Sequence, residues 1–306
     1  MRNQLSFLCL VLLLLFDSTF ELNWGEDRST LIQLRFSLGL RSKEWPRRAN
    51  PCIDWKGIGC KNGRVTEINI SGFKRTTIGQ ENPQFSVDAL RNLTFLESFN
   101  ASNFALPGPI PEWFGFGVAS SLQILDLRFC SIIGPIPSSL GKLGNLTILY
   151  LSNNGITGPL PLSLGQLSSL AVLDLSHNSL AGSIPTSFGS LGNLILLDMS
   201  SNFLTGPFPP GILTLPHLQY LNLFNNSFSY LSGFDKSGRH RRDWTDTYYK
   251  YRGEPGTLDE NEIQDTSNSA DQPNVDDPEP TIDLTYYTDL PSSLNDTEQR
   301  DAPARN

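Results

Sequence analysis

The sequence predicts an α/β-type repeat solenoid, a right-handed superhelix whose concave side is a parallel sheet. A long pattern recurs in register every 24 residues, beginning at Leu122, Leu146, Leu170 and Leu194. Each copy contains an L-x-L run with the period of two that is typical of a strand. Each copy then has a glycine–proline turn and an apolar segment. One supersecondary unit is therefore repeated along the chain, as in solenoids.

The shared pattern is LxxLxLxxNxLxGxIPxxLGxL, and each part of it has a physical role. Its alternation points leucines inward, and no unit can bury its own leucine row without neighbours. An amide side chain just after the strand can bond backbone groups where the ladder ends. A further copy begins at Leu96 and a last one at Leu218. The position after the strand is occupied by Phe104, Cys130, Asn154, Asn178, Asn202 and Asn226. A small, weakly polar cysteine also fits a buried slot, so Cys130 is predicted to be structural rather than reactive.

The open first repeat needs a cap, which we expect in residues 23–72. This segment holds the amphipathic run LIQLRFSLGL, two cysteines and the strand-like run VTEINI. Cys52 and Cys60 lie eight positions apart, and a pair this close in an exported chain indicates a disulfide loop. A metal site would need two more ligands nearby, and the segment offers none. The solenoid of about six repeats then covers residues 73–231.

The N-terminus has the pattern of an export signal. Arg2 precedes an apolar run from Leu5 to Phe16, which is too short for a membrane span but fits the apolar region of a signal peptide. We expect residues 1–22, with Cys9, to be removed, and the alternative is a buried helix of a cytosolic domain. No later stretch is apolar and long enough to cross a bilayer, so a soluble product is expected.

The charge divides the chain into two kinds of sequence. Residues 235–306 hold 17 acidic and 8 basic residues, whereas residues 1–234 hold 14 acidic and 15 basic ones. The composition of residues 232–306 offers little apolar area to offset ordering entropy, so a disordered acidic tail is predicted. Neither part carries the basic stripe that nucleic-acid binding requires, so nucleic acid is not an expected partner.

A family resemblance rests on the cap and on the repeats together. The run W-P-x4-PCxDWxGIxCxNG, with Trp45, Pro51, Cys52, Trp55, Gly57 and Cys60, is similar to the N-terminal cap of plant leucine-rich-repeat receptor-like kinases and receptor-like proteins. The runs Gly134–Pro137 and Gly182–Pro185 match the second-strand motif of that class. The resemblance covers roughly residues 1–230. It implies a leucine-rich-repeat ectodomain with an N-terminal disulfide cap, from a family of single-pass plasma-membrane proteins.

Three features of that family have no counterpart in the sequence. No cysteine pair follows the last repeat, and neither a membrane span nor the glycine-rich and catalytic loops of a kinase can be found. The expectation is therefore an ectodomain only, truncated relative to the family and not an enzyme. Its expected location is the apoplast or the outer face of the plasma membrane, without a direct membrane span.

Signals for catalysis, metals and cofactors are weak throughout the chain. The three histidines have no metal-ligand spacing, and no nucleophile elbow is present. Asp126, Asp174 and Asp198 recur at the x of L-x-L, where acid–base chemistry is one interpretation. The favoured interpretation is a family consensus on a solvated face. No catalytic residue, metal ligand or cofactor is predicted.

The predicted binding surface is the set of non-leucine side chains on the concave sheet of the later repeats. Exposed aromatics among polar groups are typical of protein-binding surfaces. The predicted residues are Tyr150, Asn153, Asp174, His177, Asp198, Gln219, Tyr220, Asn222 and Phe224. Predicted glycosylation sites are Asn69, Asn92, Asn100, Asn145, Asn225 and Asn295, each in an N-x-S/T sequon. A glycan on Asn100 would stand on the concave face.

These patterns favour an extracellular, receptor-like binding module for plant signalling. Its expected partner is a peptide ligand or a receptor-kinase ectodomain. The alternatives are a secreted inhibitor of cell-wall hydrolases and a non-functional receptor-kinase fragment. Because the last repeat has no predicted cap, we also expect it either to fray or to associate end-to-end with another solenoid.

Overall fold

The computed structural model describes residues 27–81, 83–117 and 121–231. The predicted signal peptide (residues 1–22, with Cys9), the predicted acidic tail (residues 232–306) and the sequon at Asn295 lie outside these residues. The chain divides into two compact units, Met1–Leu258 and Asp259–Asn306, and every described residue belongs to the first. That unit contains a cap followed by stacked repeats.

The cap begins with helix α1 (residues 27–37). Leu31, Leu34 and Leu38 follow each other at helical spacing, and all three are fully buried in the core. The carboxylate of Asp27 accepts hydrogen bonds at 2.9 Å from the Arg64 guanidinium and from the Val65 N–H. This carboxylate therefore ties the start of the helix to the first strand of the parallel sheet.

A disulfide joins the next two elements of the cap, helix α2 (Pro51–Asp54) and strand β1 (Ile58–Lys61). It links Cys52 to Cys60 with a Cα–Cα distance of 5.6 Å, so the predicted pair is confirmed. In the same cap, the rings of Trp45 and Trp55 stack with centroids 5.2 Å apart. Each indole N–H donates to a backbone carbonyl, which satisfies the polar edge of a buried ring.

The larger sheet has eight strands in the order β1-β2-β3-β4-β6-β8-β10-β12. Strand β1 is antiparallel to β2, and every later pair is parallel and in register. The parallel strands are β2 (Arg64–Asn69), β3 (Ser98–Asn100), β4 (Ile124–Asp126), β6 (Ile148–Tyr150), β8 (Val172–Asp174), β10 (Leu196–Asp198) and β12 (Tyr220–Asn222). They are the cap strand and six repeat strands that the sequence predicts, while β1 is an addition.

A second sheet consists of five short strands in the order β13-β11-β9-β7-β5. Each of them follows, along the chain, one strand of the larger sheet. The five strands are β5 (Ile133–Gly134), β7 (Gly155–Gly158), β9 (Ser179–Gly182), β11 (Phe203–Phe208) and β13 (Ser227–Leu231). A glycine with φ near +80° recurs in it at positions 134, 158, 182 and 206. Only glycine adopts this conformation readily, which explains the invariant glycine of the repeat pattern.

Short 3-10 turns close the repeats opposite the larger sheet. They span Asp88–Asn92, Ser138–Lys142, Leu162–Gln166, Thr186–Ser190 and Pro210–Ile212, with short helices α3 (Thr77–Glu81) and α4 (Phe114–Gly117) earlier in the chain. A Cβ on Gly141 would lie 2.2 Å from the Ser163 carbonyl oxygen of the next turn, and one on Gly165 would lie 2.5 Å from that of Ser187. The glycine of Leu-Gly-x-Leu therefore allows adjacent turns to pack closely.

The asparagine after each strand bonds the backbone as the pattern predicts. Asn178 donates from Nδ2 to the carbonyls of Leu151, Leu175 and Ser176 at 2.9–3.1 Å, and its Oδ1 accepts from the Ile156 N–H at 3.1 Å. Equivalent bonds form at Asn202 and Asn226. The amide row satisfies backbone groups where the strands end, and so links each repeat to the one before it.

Cys130 occupies the same buried row in the first in-register repeat. Its thiol is fully buried and lies 3.1 Å from the Ala101 carbonyl oxygen, to which it donates. Burial raises the pKa of the Cys130 thiol to about 12. The thiolate that nucleophilic chemistry needs is therefore disfavoured, and the predicted structural role agrees with this environment.

The inward leucines of the last repeat are slightly more accessible than those before them. Leu218 and Leu223 are 9% and 8% exposed, whereas Leu170 and Leu175 are fully buried. Phe228 packs edge-on against Phe208 with ring centroids 6.5 Å apart. Among the described residues, no helix has the length and apolar character to cross a membrane.

Candidate binding surface

The candidate surface is the face of the larger sheet that points away from the core. The middle residue of each repeat strand, such as Leu149 or Leu173, is buried in the core cluster. The residues on either side of it point to the opposite face. They form two columns across the strands: Ile124, Ile148, Val172, Leu196 and Tyr220 in the first, and Asp126, Tyr150, Asp174, Asp198 and Asn222 in the second.

The structure brings most of the predicted binding residues onto this face. Tyr150, Asp174, Asp198 and Asn222 follow one another in the second column, and all four are half-buried. Tyr220 lies in the neighbouring column and is also half-buried. Gln219, just before β12, and Phe224, just after it, are exposed, Phe224 by 42%. The predicted set therefore forms one surface over β6, β8, β10 and β12.

Asn153 and His177 lie beyond the strands, in the turns that follow them. Their φ angles are +57° and +52°, the left-handed region that favours asparagine and glycine. His177 is exposed and its backbone N–H donates to the Ser200 carbonyl at 2.9 Å. These two residues therefore form the edge of the surface rather than its floor.

The aspartates of the second column bond the backbone two residues further on. Asp174 Oδ1 accepts from the Ser176 N–H and hydroxyl at 3.0 and 2.7 Å, and Asp198 Oδ1 accepts from the same groups of Ser200 at 2.9 and 2.6 Å. Side chains that bond their own backbone in this way stabilise a turn. Their recurrence along the repeats is explained by this turn rather than by acid–base chemistry.

The expectation that these aspartates share a solvated face is wrong for Asp126, which is 3% exposed. Its carboxylate accepts from Arg128 Nε at 3.0 Å and from Nη2 at 2.7 Å, a bidentate pair. The guanidinium carbon of Arg128 in turn lies 4.3 Å from the Tyr150 ring centroid. Arg128 and Tyr150 together remove this carboxylate from water.

This cluster alters the acidity of its members. Burial lowers the pKa of Arg128, but the hydrogen bond and charge of Asp126 outweigh it and raise the pKa overall. Burial raises the pKa of the Tyr150 hydroxyl, against the opposing charge of Arg128. The sequence reasoning missed Arg128, although it stands where the later repeats have a serine (Ser152, Ser176 and Ser200).

A second polar network surrounds Asp198 at the other end of the surface. Asn222 Nδ2 donates to Asp198 Oδ2 at 3.1 Å, and the Tyr220 hydroxyl lies 3.5 Å from the same oxygen. Burial raises the pKa of Asp198, hydrogen bonds from Ser200 oppose the rise, and the charge of Asp174 adds to it. The network holds Tyr220 and Asn222 in a defined position on the surface.

Tyr220 is the one residue of the first column that the sequence predicts as part of the surface, and the other four were missed. Ile124, Ile148 and Val172 are at most 4% exposed, yet they do not belong to the core cluster. They form an apolar floor on the outer face of the sheet beside the polar column. The repeat pattern allows any residue at this position, yet all three side chains are β-branched and apolar. That preference was the sequence signal for a buried position on this face.

Phe129 was also missed. It is 51% exposed and has φ of +55°, a conformation that an aromatic residue rarely adopts. It stands at the position of Asn153 and His177 in the later repeats, on the edge of the same surface. Groups of three or more histidine, cysteine or acidic side chains that could hold a metal are absent from the described part of the chain.

Comparison with known proteins identifies the repeat. Family models of the leucine-rich repeat match residues 120–180 and 193–215. A probable LRR receptor-like serine/threonine-protein kinase of Arabidopsis thaliana is 53% identical over 147 residues, which cover 46% of this chain and 16% of that kinase. The matched residues are leucine-rich repeats, and they are similar to the corresponding region of a plant receptor-like kinase. The resemblance inferred from the cap and repeat motifs is thereby confirmed.

Other leucine-rich-repeat proteins agree in sequence and structure. The LRR receptor-like serine/threonine-protein kinase GSO2 of Arabidopsis thaliana is 32% identical over 149 residues, covering 44% of this chain and 11% of that kinase. The crystal structure of PEPR1–AtPEP1 matches with a TM-score of 0.55 and 29% identity, covering 66% of this chain and 28% of that chain. The crystal structure of a pollen receptor kinase 3 matches with a TM-score of 0.53 and 25% identity, covering 69% of this chain and 99% of that chain.

These matches confirm the predicted leucine-rich-repeat solenoid. The chain spans only 16% and 11% of the length of the two Arabidopsis kinases above. The matched region is the leucine-rich-repeat part, which is not catalytic.

Proposed function

We propose that the leucine-rich-repeat domain is an extracellular receptor-like module that binds a peptide or a partner ectodomain on the concave surface over β6, β8, β10 and β12. The observation that carries the proposal is the pairing of two columns on that face. Half-buried Tyr, Asp and Asn side chains line one column, and the half-buried Leu196 and Tyr220 lie in the column beside them, next to the covered Ile148 and Val172. A recognition surface usually combines apolar area with hydrogen-bond donors and acceptors that are fixed in position.

The similarity to PEPR1–AtPEP1 supports this proposal, since that structure holds PEPR1 with AtPEP1. The surface holds four of the five charged residues of 121–231, and each of them, Asp126, Arg128, Asp174 and Asp198, is hydrogen-bonded within the protein. Affinity there should therefore depend on contact and hydrogen bonding more than on electrostatic attraction.

The size of the sheet limits what it can take. Seven parallel strands at about 4.8 Å spacing span roughly 30 Å, which suits a short extended peptide or the flank of a small domain. A glycan on Asn100, at the end of β3, would cover the early strands. The later strands then remain for the ligand, where Tyr220 and Phe224 are the aromatic anchors.

The test starts from the secreted protein and a displayed library of random peptides. Peptides enriched on the wild-type domain are synthesised, and their Kd values are measured by calorimetry against Tyr220→Ala and Phe224→Ala. Each replacement should weaken binding by about 1–3 kcal/mol if the side chain is a hot spot. The matched control is Phe203→Ala, a 63% exposed phenylalanine in β11 of the other sheet, which should leave Kd unchanged.

Thermal melting of each variant separates loss of contact from loss of folding. Unchanged affinity in both concave-face variants, together with weaker binding in Phe203→Ala, would move the ligand to the second sheet and contradict the proposal.

A further inference from the structure

The basic residues of the described chain are concentrated in the cap. Residues 27–72 hold nine basic and four acidic residues, whereas residues 121–231 hold two basic and three acidic ones. The near-neutral balance of the first 234 residues therefore conceals a strongly positive segment at one end. The cap, unlike the candidate binding surface, is built to attract anions.

Two of these cations lie over one exposed aromatic ring. Phe36, on α1, is 56% exposed, and the guanidinium carbons of Arg47 and Arg35 lie 4.7 and 5.5 Å from its ring centroid. Arg41, Lys43, Arg47 and Arg48 are exposed in the loop that follows α1. We call Phe36 with Arg35, Arg41, Lys43, Arg47 and Arg48 the Phe36 basic surface.

The charge of this surface is not neutralised within the described residues. The salt bridges of the cap pair Arg64 with Asp27 and Lys61 with Glu97, and none of those described reaches Arg35 or Arg47. Arg35 is only 6% exposed; its Nη2 donates to the Ser42 hydroxyl, whereas its Nε and Nη1 atoms are buried without a hydrogen-bond partner. The buried Arg35 adds to the positive potential at Phe36, and the exposed Arg41, Lys43, Arg47 and Arg48 are the groups that a bound anion can reach.

The arrangement also indicates the chemistry of the anion. Guanidinium groups match carboxylates in a planar, bidentate geometry. Basic residues spread over residues 41–48 suit an anion that repeats along a chain better than a single ion. The exposed Phe36 ring offers an apolar face between the charges. A uronic-acid polymer combines these features, because each sugar carries one carboxylate and one apolar ring face.

We propose that the Phe36 basic surface binds a carboxylated polysaccharide chain. This inference rests on the proposed extracellular location, but not on the concave surface. The ligand would hold the cap against an acidic matrix and leave β6, β8, β10 and β12 free for a second partner.

The test measures binding of an oligogalacturonide to the full secreted chain by calorimetry at low and at high salt. A fully methyl-esterified oligogalacturonide of equal length is the ligand control, since it keeps the sugar backbone and loses the charge. The expected result is binding of the acid form only, weakened by salt because screening reduces attraction between exposed charges.

The matched protein control reverses the same number of charges elsewhere. The double variant Arg47→Glu/Arg48→Glu should weaken binding about tenfold or more, since two cationic partners are replaced by anions. The double variant Arg91→Glu/Lys142→Glu changes two bases outside the cap and should alter Kd less than about twofold. If thermal melting shows that the charge-reversed variant does not fold, the neutralised variant Arg47→Gln/Arg48→Gln replaces it in the binding assay.

Three results would overturn this proposal: equal binding of the methyl ester, equal loss in the two charge-reversed variants, or tighter binding of polyglutamate or single-stranded RNA than of the oligogalacturonide. Tyr220→Ala and Phe224→Ala should leave polysaccharide binding unchanged. Failure of this inference is therefore distinguishable from failure of the proposed peptide site.

Discussion

Replacement of Asn178 by alanine tests whether the buried amide row holds the repeats together. In the native structure the side chain takes up one N–H, from Ile156, and three carbonyl oxygens. Alanine fills neither role. Because Asn178 is only 8% exposed, water cannot replace the lost bonds without opening the stack.

The expected loss of unfolding free energy depends on how many of these backbone groups keep another hydrogen bond in the variant. The Leu151 and Leu175 carbonyls still accept from Asn154 and Asn202 at 3.0 Å, and the Ser176 carbonyl still accepts from a backbone N–H. The Ile156 N–H loses its asparagine acceptor in a buried position. One unsatisfied donor and three weakened acceptors together should lower the free energy of unfolding by about 2–4 kcal/mol.

The assay is chemical unfolding followed by circular dichroism, with Asn193→Ala as the matched control. Asn193 also reaches back to the previous repeat, donating to the Ser168 carbonyl at 2.8 Å, but it is exposed and water can take its place. The control should cost less than about 1 kcal/mol. Equal costs for the two variants would refute the reasoning, because burial of the amide row would then carry no extra stability.

Three further predictions concern the turns, the concave aspartates and the end of the solenoid. Gly165→Ala should destabilise the domain by about 1–3 kcal/mol through overpacking, whereas Gly144→Ala, whose Cβ would meet nothing within 4 Å, should be neutral or stabilising in thermal melts. Burial raises the pKa of Asp198 above its unfolded value, so its charged form costs stability at neutral pH. In unglycosylated protein the unfolding free energy of Asp198→Asn, relative to that of the wild type, should therefore be higher at pH 7 than below pH 3.8, the ordinary aspartate pKa. Hydrogen exchange should show residues 218–230 opening more readily than residues 146–175, and light scattering on the same sample separates fraying from end-to-end association. Equal protection in a strict monomer would contradict the last of these.

The repeat, the strand positions and the disulfide could be predicted because each follows from local rules. Period-two leucines define the strands, and a glycine at φ near +80° marks each turn. The close cysteine pair defines the cap loop. These features repeat or lie close in sequence, so one chain carries enough information to find them.

The composition of the candidate surface was harder to predict, because burial there depends on neighbouring repeats. Asp126 is covered by Arg128 from its own strand end and by Tyr150 from the next strand, 24 residues later. Ile148 is covered on a face that the pattern describes as open. The clustering of cations around Phe36 was missed for a similar reason, since the charge count was averaged over 234 residues.

The most direct test of the proposed function places a glycan on the concave surface. Asp174→Asn creates a glycosylation sequon with Leu175 and Ser176, at the centre of the second column. The asparagine can still accept the Ser176 N–H bond that the carboxylate accepts. Kd for a selected peptide is then measured before and after enzymatic removal of the glycan. The glycosylated variant should bind at least roughly tenfold more weakly than the wild type, and removal of the glycan should restore binding. Wild-type affinity in the fully glycosylated variant would contradict a ligand site on this face.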